Sequence, residues 1–467
     1  KMKTNEIIWG WTGLFHDASL AVFVDQQLVF AAHSERYSRI KNDPYLNQKI
    51  VNEALSFGKP QEVYFYERPL IKKSRQLWAG QYYAVRKQFP TSYLRKFYKN
   101  APRSIGIHHH WSHAAACYYT RPFIEEPVCV VIDAIGEWDT ASIWYKKKKV
   151  WSLRYPKSLG LFYSAVTQEC ALRPNEDEYI TMGMAAFGRA KHHYDPYLNY
   201  HKGFPEKLRG HNYDKAASAQ LLIEQEIYGI MKKARKYSSS LCYGGGVALN
   251  CVANSKIHNM FDKVWIMPNP GDAGSAIGCV LAATDYHIDW PGPYLGHNIP
   301  GEYPVNQIIN ELNKTGVVGV ASGKAEFGPR ALGNRSLLAN PMLDIKDTVN
   351  KIKRRQQFRP FAPAILEEYF DEYYEGPAGP YMQYVAKAKH DMKSVIHYDG
   401  TSRVQLVKKD NTGFRKLLEK WHDQTGCPML LNTSLNIKGE PLVNTILDAK
   451  EWQDRYKVKV CLPRIKK

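Results

Sequence analysis

The chain has 467 residues, 44% of them hydrophobic and 13% aromatic, with 64 Lys and Arg against 45 Asp and Glu, a formal charge of +19. That length exceeds a single compact core and predicts two domains, the ordinary apolar content excludes a disordered chain, and no apolar run approaches the roughly 18 residues of a membrane span. Eight scattered cysteines without a CxxC pair exclude a disulfide scaffold, and the N-terminus lacks the apolar core of a signal peptide, so the expected location is a reducing cytosol.

The chain opens as strands: "NEIIWGWTG", "HDASLAVFVD" and, after a short polar turn, "QLVFAAHSER". Acidic residues then vanish from 68 to 124. Within that gap, residues 72–103 interleave nine cations (Lys72, Lys73, Arg75, Arg86, Lys87, Arg95, Lys96, Lys99 and Arg103) with seven aromatics. Cations suit phosphates and aromatic faces suit unstacked bases, so this stretch is a candidate nucleic-acid surface, although some of its rings must face a core. Further positive charge lies in "KIKRR" (351–355) and in "YKKKKV" (145–150), the latter most simply a solvated hairpin turn.

"GIHHHWSHAAAC" follows at 106–117. On a helix, His109 and His113 stand one turn apart on one face and can share a metal ion. His108 and His110 point elsewhere. A third ligand must come from another part of the chain, and Asp272, in a Gly-rich loop, is the candidate. Two His and one carboxylate suit Fe(II), Zn or Mn and leave positions open for substrate.

Residues 127–155 repeat the opening pattern of strand, loop, strand, charged turn and strand. Two copies of one unit predict a duplicated α/β domain of the actin, hexokinase and sugar-kinase plan (ribonuclease H-like halves), with a nucleotide between the halves. "LCYGGGVALNCVANSKI" (241–257) runs a strand into Gly244, Gly245 and Gly246 and then a helix, where backbone and helix N-terminus can approach an anion. "VWIMPNPGDAGSAIGCVLAA" (264–283) is a strand, a Pro/Gly loop holding Asp272, and a small-residue helix. Composition shifts over 284–316, which reads as an irregular boundary, so the domains are expected at 1–310 and 311–467. In the second, Arg330 and Arg359 sit in Gly- and Pro-flanked turns. With Lys353, Arg403 and Ser434 they could hold a triphosphate and a second small anion.

The segments "HDASLAV", "HSERYSRIK", "HHHWSHAAAC", "VVIDAIGEW", "YGGGVALNCVAN", "NPGDAGSAIG", "EFGPRALGNRS", "FRPFAPA", "DGTSRVQ" and "NTSLNIKGEPLV" occur in this order over nearly the whole chain. In them the chain resembles the O-carbamoyltransferases of the nodulation-factor, cephem and tobramycin type. The resemblance implies an N-terminal domain like the tRNA threonylcarbamoyladenosine ligase and a smaller YrdC-like α/β C-terminal domain. The C-terminal domain would make carbamoyl adenylate from ATP and carbamoyl phosphate, with Mg alongside, through Arg330, Lys353, Arg359, Arg403 and Ser434. In the N-terminal domain, the resemblance implies iron on His109, His113 and Asp272, and Gly244, Gly245, Gly246 and Asn250 against the adenylate. His16 or Asp17 would be base or orienting group, with Asp133 and Glu137 in the second hairpin loop and Asp133 counted among the catalytic residues. One departure stands out: the family's Glu-Gly-Lys is here Glu178, Tyr179 and Ile180, which puts the family's usual acceptors in doubt.

The usual acceptors give no reason for a +19 chain with an acid-free approach to its metal residues. A hydroxymethyl-pyrimidine in DNA, such as 5-hydroxymethylcytosine, does, in the cytoplasm of a bacterium or phage-infected host. Carbamoylation of a small-molecule hydroxyl in antibiotic or glycolipid biosynthesis is the alternative. A non-catalytic nucleic-acid-binding relative fits poorly with motifs intact in both domains. The expected assembly is a monomer or homodimer, without membrane attachment.

Overall fold

The structure is a computed structural model and describes residues 5–86 and 88–464. These described residues form two compact units, one within 5–38 and 42–291 and the other within 39–41 and 292–464. No helix among the described residues is long and apolar enough to cross a membrane. All eight cysteines are buried free thiols.

The first unit contains the same sheet twice. β1 (Ile7–Thr12), β2 (Ser19–Val24) and β3 (Gln27–His33) pair antiparallel, and β4 (Glu62–Phe65) and β5 (Ser104–Gly106) add in parallel, giving the order β3-β2-β1-β4-β5. The second sheet has β6 (Val128–Gly136), β7 (Asp139–Tyr145), β8 (Lys148–Arg154), β9 (Ser240–Gly244) and β10 (Lys263–Trp265) in the order β10-β9-β6-β7-β8. Counted from its own first strand, the succession is identical, so the duplicated α/β plan read from the sequence is present. β1 is buried along its whole length and shows no in–out alternation, as expected of a strand covered on both faces. The lysine-rich "YKKKKV" turns between β7 and β8, with Lys146 and Lys147 at φ 49° and 63°. That geometry matches the twist of the flanking strands.

Two small-residue helices, His109–Tyr118 and Ser275–Thr284, pack against each other in the middle of this unit. Glycine sets how closely they approach. A Cβ on Gly278 would lie 1.8 Å from the Ser112 carbonyl oxygen, and one on Gly10 of β1 would lie 1.9 Å from that of Ala276. The second helix is thus seated on both the first sheet and the histidine helix.

The second unit is built on a six-stranded mixed sheet in the order β19-β15-β20-β14-β12-β21. Its strands are β12 (Val317–Ala321), β14 (Arg335–Ala339), β15 (Ala362–Leu366), β19 (Gln405–Val407), β20 (Met429–Ser434) and β21 (Val460–Cys461). A small sheet holds β16 (Tyr374–Glu375), β17 (Ala386–Ala388) and β18 (Thr401–Ser402). The helices Val305–Thr315 and Gly413–Thr425 bury Ile308, Leu312, Leu417 and Trp421 in a core shared with sheet residues such as Val318 and Leu430. The first unit ends at residue 291 and the second continues from 292. The Pro- and Gly-rich stretch that reads as a linker contains β11 (Tyr294–Ile299), which pairs antiparallel with β13 (Gly323–Glu326) and thereby joins the second unit.

Candidate metal centre and anion-binding residues

The helix carrying the histidines begins at His109, capped by His108, whose Nδ1 accepts the Trp111 amide. Starting there places His109 and His113 one turn apart, both buried. Their Nε2 atoms are 3.1 Å apart. Asp133 Oδ2 lies 3.1 Å from the first and 3.2 Å from the second, and Asp272 Oδ1 lies 3.4 and 3.2 Å from them. One donor from each of these four residues falls within 4.8 Å of every other. A first-row metal bound at about 2.1 Å needs donor–donor edges of about 3.0 to 3.4 Å, so the set fits such an ion. Two carboxylates and two imidazoles, intermediate in softness, leave Fe(II), Zn and Mn all suitable.

The surroundings orient each donor. His113 Nδ1 is 3.2 Å from Ser275 Oγ, and His109 Nδ1 is 3.6 Å from Glu67 Oε2, which leaves both Nε2 atoms aimed at the shared point. Glu67 is itself paired through both oxygens with Lys72 Nζ at 2.8 Å. Asp133 Oδ1 accepts the backbone N–H groups of Ala134 (2.9 Å) and Gly246 (3.3 Å), turning Oδ2 toward the histidines. The 272–274 turn is pinned to β2 by Ser19 Oγ, which donates to the Ala273 carbonyl at 2.6 Å.

Electrostatics agree with a cation site. Burial opposes every charge here. Even so, Asp272 and Asp133 hold His109 and His113 above the ordinary imidazole pKa, and the imidazoles hold both carboxylates below the ordinary range. Protons thus compensate two buried negative charges, a task that a divalent ion performs when it displaces them. Asp272, whose side chain is 23% exposed, is the open edge of the group.

The other two histidines of the run have different tasks. Burial, then the neighbouring His109 charge, pushes His110 well below the usual pKa, and its Nδ1 meets Ser142 Oγ at 2.7 Å. His108, besides capping, sets Nε2 3.3 Å from Asp139. Sequence reasoning missed Asp133 as a metal donor and counted it with the acid–base residues. Its position near the end of a buried hydrophobic strand, "VVID", was the available signal.

His16 and Asp17 lie between β1's end and β2, with His16 Nδ1 3.2 Å from Asp17 Oδ2. Burial would lower the His16 pKa, but the hydrogen bond to Asp17 and the charges of Asp17 and Asp272 raise it to about 9. Glu137 is buried and accepts from Arg68 and from the His109 amide. In the glycine loop, Gly245 has φ 91° and donates its N–H to Pro270, and a Cβ there would lie 2.2 Å from the Ile132 oxygen. The Asn250 side-chain amide caps the helix Cys251–Ile257 and exchanges two 3.1 Å hydrogen bonds with Gln220.

Two cations of the basic stretch are corrected. Lys72 and Arg75 form the buried face of the helix Pro69–Trp78, where Lys72 neutralises Glu67 and Arg75 donates to Gln81 at 3.0 Å and lies over the Tyr155 ring. Buried and internally partnered, they are not phosphate contacts. Arg86, Arg95, Lys96, Lys99 and Arg103 are exposed, although Arg95 Nε donates to the Ala101 carbonyl, and Lys73 is half-buried over the Phe89 ring. Lys87 lies outside the described residues.

In the second unit, Lys353 and Ser434 meet. The buried Lys353 ammonium reaches Ser434 Oγ at 3.2 Å and both the carbonyl and side-chain oxygens of Asn436 at 3.0 Å. Burial, with Arg355 and Arg359 nearby, pushes its pKa well down. Asn436 is a residue the sequence reading did not single out. Arg330 and Arg403 are half-buried in separate loops of the same unit.

Comparison with known proteins decides the family. The carbamoyltransferase N-terminus model matches residues 66–202 and 197–281, and the carbamoyltransferase C-terminus model matches residues 309–462. The chain belongs to the carbamoyltransferase family. Nodulation protein NolO of Bradyrhizobium diazoefficiens is 30% identical to it over 73% of this chain and 75% of its own. The 3'-hydroxymethylcephem-O-carbamoyltransferase of Amycolatopsis lactamdurans is 27% identical over 93% and 94%. An uncharacterised Synechocystis protein is 29% identical over 95% and 93%. Among solved structures, full-length HypF in its phosphate- and nucleotide-bound form is similar at TM-score 0.37 and 14% identity, covering 61% of this chain and 46% of its own. That likeness is too remote to add to the topology described above. This carbamoyltransferase therefore carries its metal-competent group inside the segment matched by the N-terminal family model, and Lys353 and Ser434 inside the segment matched by the C-terminal one.

Proposed function

We propose that this carbamoyltransferase works in two steps, with DNA as the acceptor. In the second unit, a YrdC-like domain in this reading, water cleaves carbamoyl phosphate to carbamate and phosphate, and a carbamate oxygen attacks the α-phosphate of ATP, held with Mg, to give carbamoyl adenylate and release pyrophosphate. Arg330, Arg359 and Arg403 face the phosphates, while Lys353 fixes the turn that presents Ser434. In the first unit the acceptor hydroxyl attacks the carbamoyl carbon, AMP leaves, and the hydroxyl proton passes to a base. The acceptor is a hydroxymethyl-pyrimidine, 5-hydroxymethylcytosine above all.

The observation that carries the transfer step is the convergence of His109, His113, Asp133 and Asp272 on one point. A metal ion there, iron in this reading, supplies Lewis acidity toward the carbamoyl group or its phosphate. The chain's own residues do the rest. Gly244, Gly245 and Gly246 let the backbone approach the adenylate. His16, held as a cation beside Asp17, suits an anionic leaving group and leaves the Asp17 carboxylate to take the hydroxyl proton. The exposed cations at 86–103 and the net charge support a polyanionic acceptor.

Incubation with ATP, carbamoyl phosphate, Fe(II) and hydroxymethylated DNA, followed by nucleoside mass spectrometry, tests this. A carbamoyl mass gain on the modified base is expected. Reaction confined to small alcohols would overturn the DNA acceptor and favour the small-molecule alternative.

A further inference from the structure

Removing Lys72 and Arg75 from the nucleic-acid surface changes what that surface is made of. The helix Pro69–Trp78 turns its charged face inward and leaves apolar residues outside: Leu70 is 69% exposed and Trp78 is 64% exposed. The next short helix, Tyr82–Val85, adds Tyr82 and Tyr83 at 69% and 73% exposure. Rings of this size rarely stand so far into solvent without a partner.

The rings also lead toward the metal-competent group. Trp78 lies 5.8 Å from Trp138 and 5.9 Å from Tyr155, centroid to centroid. Trp138 directly follows Glu137, which accepts the His109 amide. The exposed Arg154 lies over the Trp138 ring at 5.5 Å, and Arg86 is exposed just beyond Tyr83. The charge is one-sided. Residues 68–124 carry no acid, and Glu67, just before them, and Glu137, next to Trp138, are buried and paired with Lys72 and Arg68. A protein partner has no use for aromatic rings set beside cations such as Arg86 and Arg154 unless it is itself acidic. A strand with unpaired bases offers both the flat apolar faces and the phosphates.

We infer that Trp78, Tyr82 and Tyr83 form a stacking surface for unpaired bases, so that the acceptor strand is engaged single-stranded or locally opened. This rests on the nucleic-acid acceptor proposed above. It also accounts for how a base reaches a buried centre, since a base held in a duplex stack cannot.

Fluorescence anisotropy of the full chain with a hydroxymethylcytosine oligonucleotide, single-stranded and as a duplex of the same sequence, tests the inference. The combined variant Trp78→Ala, Tyr82→Ala, Tyr83→Ala should lose about 10-fold or more in single-strand affinity while the salt slope is unchanged, because stacking releases no counterions. Replacing all three by Phe should retain most of the affinity, which separates loss of stacking from loss of fold. Equal binding of duplex and single strand, with no change in the Ala variant, overturns the inference while leaving DNA carbamoylation intact. A wild-type dimer that the Ala variant dissociates, with single-strand affinity unaltered, assigns the rings to a second copy and also overturns it. If neither form of DNA is bound or carbamoylated, the acceptor reading fails and the inference falls with it.

Discussion

Asp133 is held in place by Gly246: its Oδ1 accepts that residue's backbone N–H at 3.3 Å, while Oδ2 faces both metal-competent histidines. The glycine loop after β9 and the donor near the end of β6 are therefore one device. It expects that disturbing the loop disturbs metal retention before it disturbs nucleotide chemistry. Gly245→Ala forces a side chain into φ 91° and against the Ile132 oxygen. The expected result is a destabilisation of about 1–3 kcal/mol or more with loss of bound metal, checked by denaturant melts and elemental analysis.

His109→Ala and Asp133→Asn should each abolish metal retention and carbamoyl transfer. Adenylate formation, followed as ATP–pyrophosphate exchange, should survive in both. Loss of exchange as well would undo the assignment of the two steps to two units.

Glu67→Gln keeps the side chain's shape and removes its charge from behind His109. Metal affinity should fall about 10- to 100-fold, as for other residues that orient a ligating imidazole. Titration calorimetry with Zn(II) or Mn(II) measures it, and unchanged affinity would make Glu67 a partner of Lys72 only.

The His16–Asp17 pair has a pH signature. The folded pKa of His16 is raised to about 9, against about 6.5 in an unfolded chain. Its stabilising contribution is therefore fully present below about 6.5 and is lost as pH rises through about 9. Asp17→Asn should return the histidine's NMR titration toward 6.5 and flatten that part of the stability profile. A wild-type midpoint near 6.5 would contradict the pairing.

Much of the first unit was legible because its local signals agree. Hydrophobic strands bounded by turn residues gave β1 to β3 and β6 to β8, and their repetition gave the duplication. His109, His113 and Asp272 were legible from spacing and from a loop that only small residues can build. Asp133 was not, because a carboxylate that ends a buried strand looks the same whether it serves as base, ligand or cap. Lys72 and Arg75 misled for the opposite reason. A cation-rich helix announces charge but not facing, and Glu67, the group that draws Lys72 inward, lies outside the acid-free stretch. β11 was hidden by its Pro and Gly neighbours, since its pairing with β13 depends on residues more than twenty positions away.

The four donors lie at 109, 113, 133 and 272, and the last comes from the turn that follows the final strand of the second sheet. During synthesis, most of the first unit must leave the ribosome before the centre can exist. Two histidines and one aspartate would wait through some 140 further residues for their partner. Tight capture of an ion is thus a late event in the life of the chain, and it closes a loop that spans the whole second repeat. Metal uptake by nascent chains of increasing length would time the moment at which the two halves become one domain.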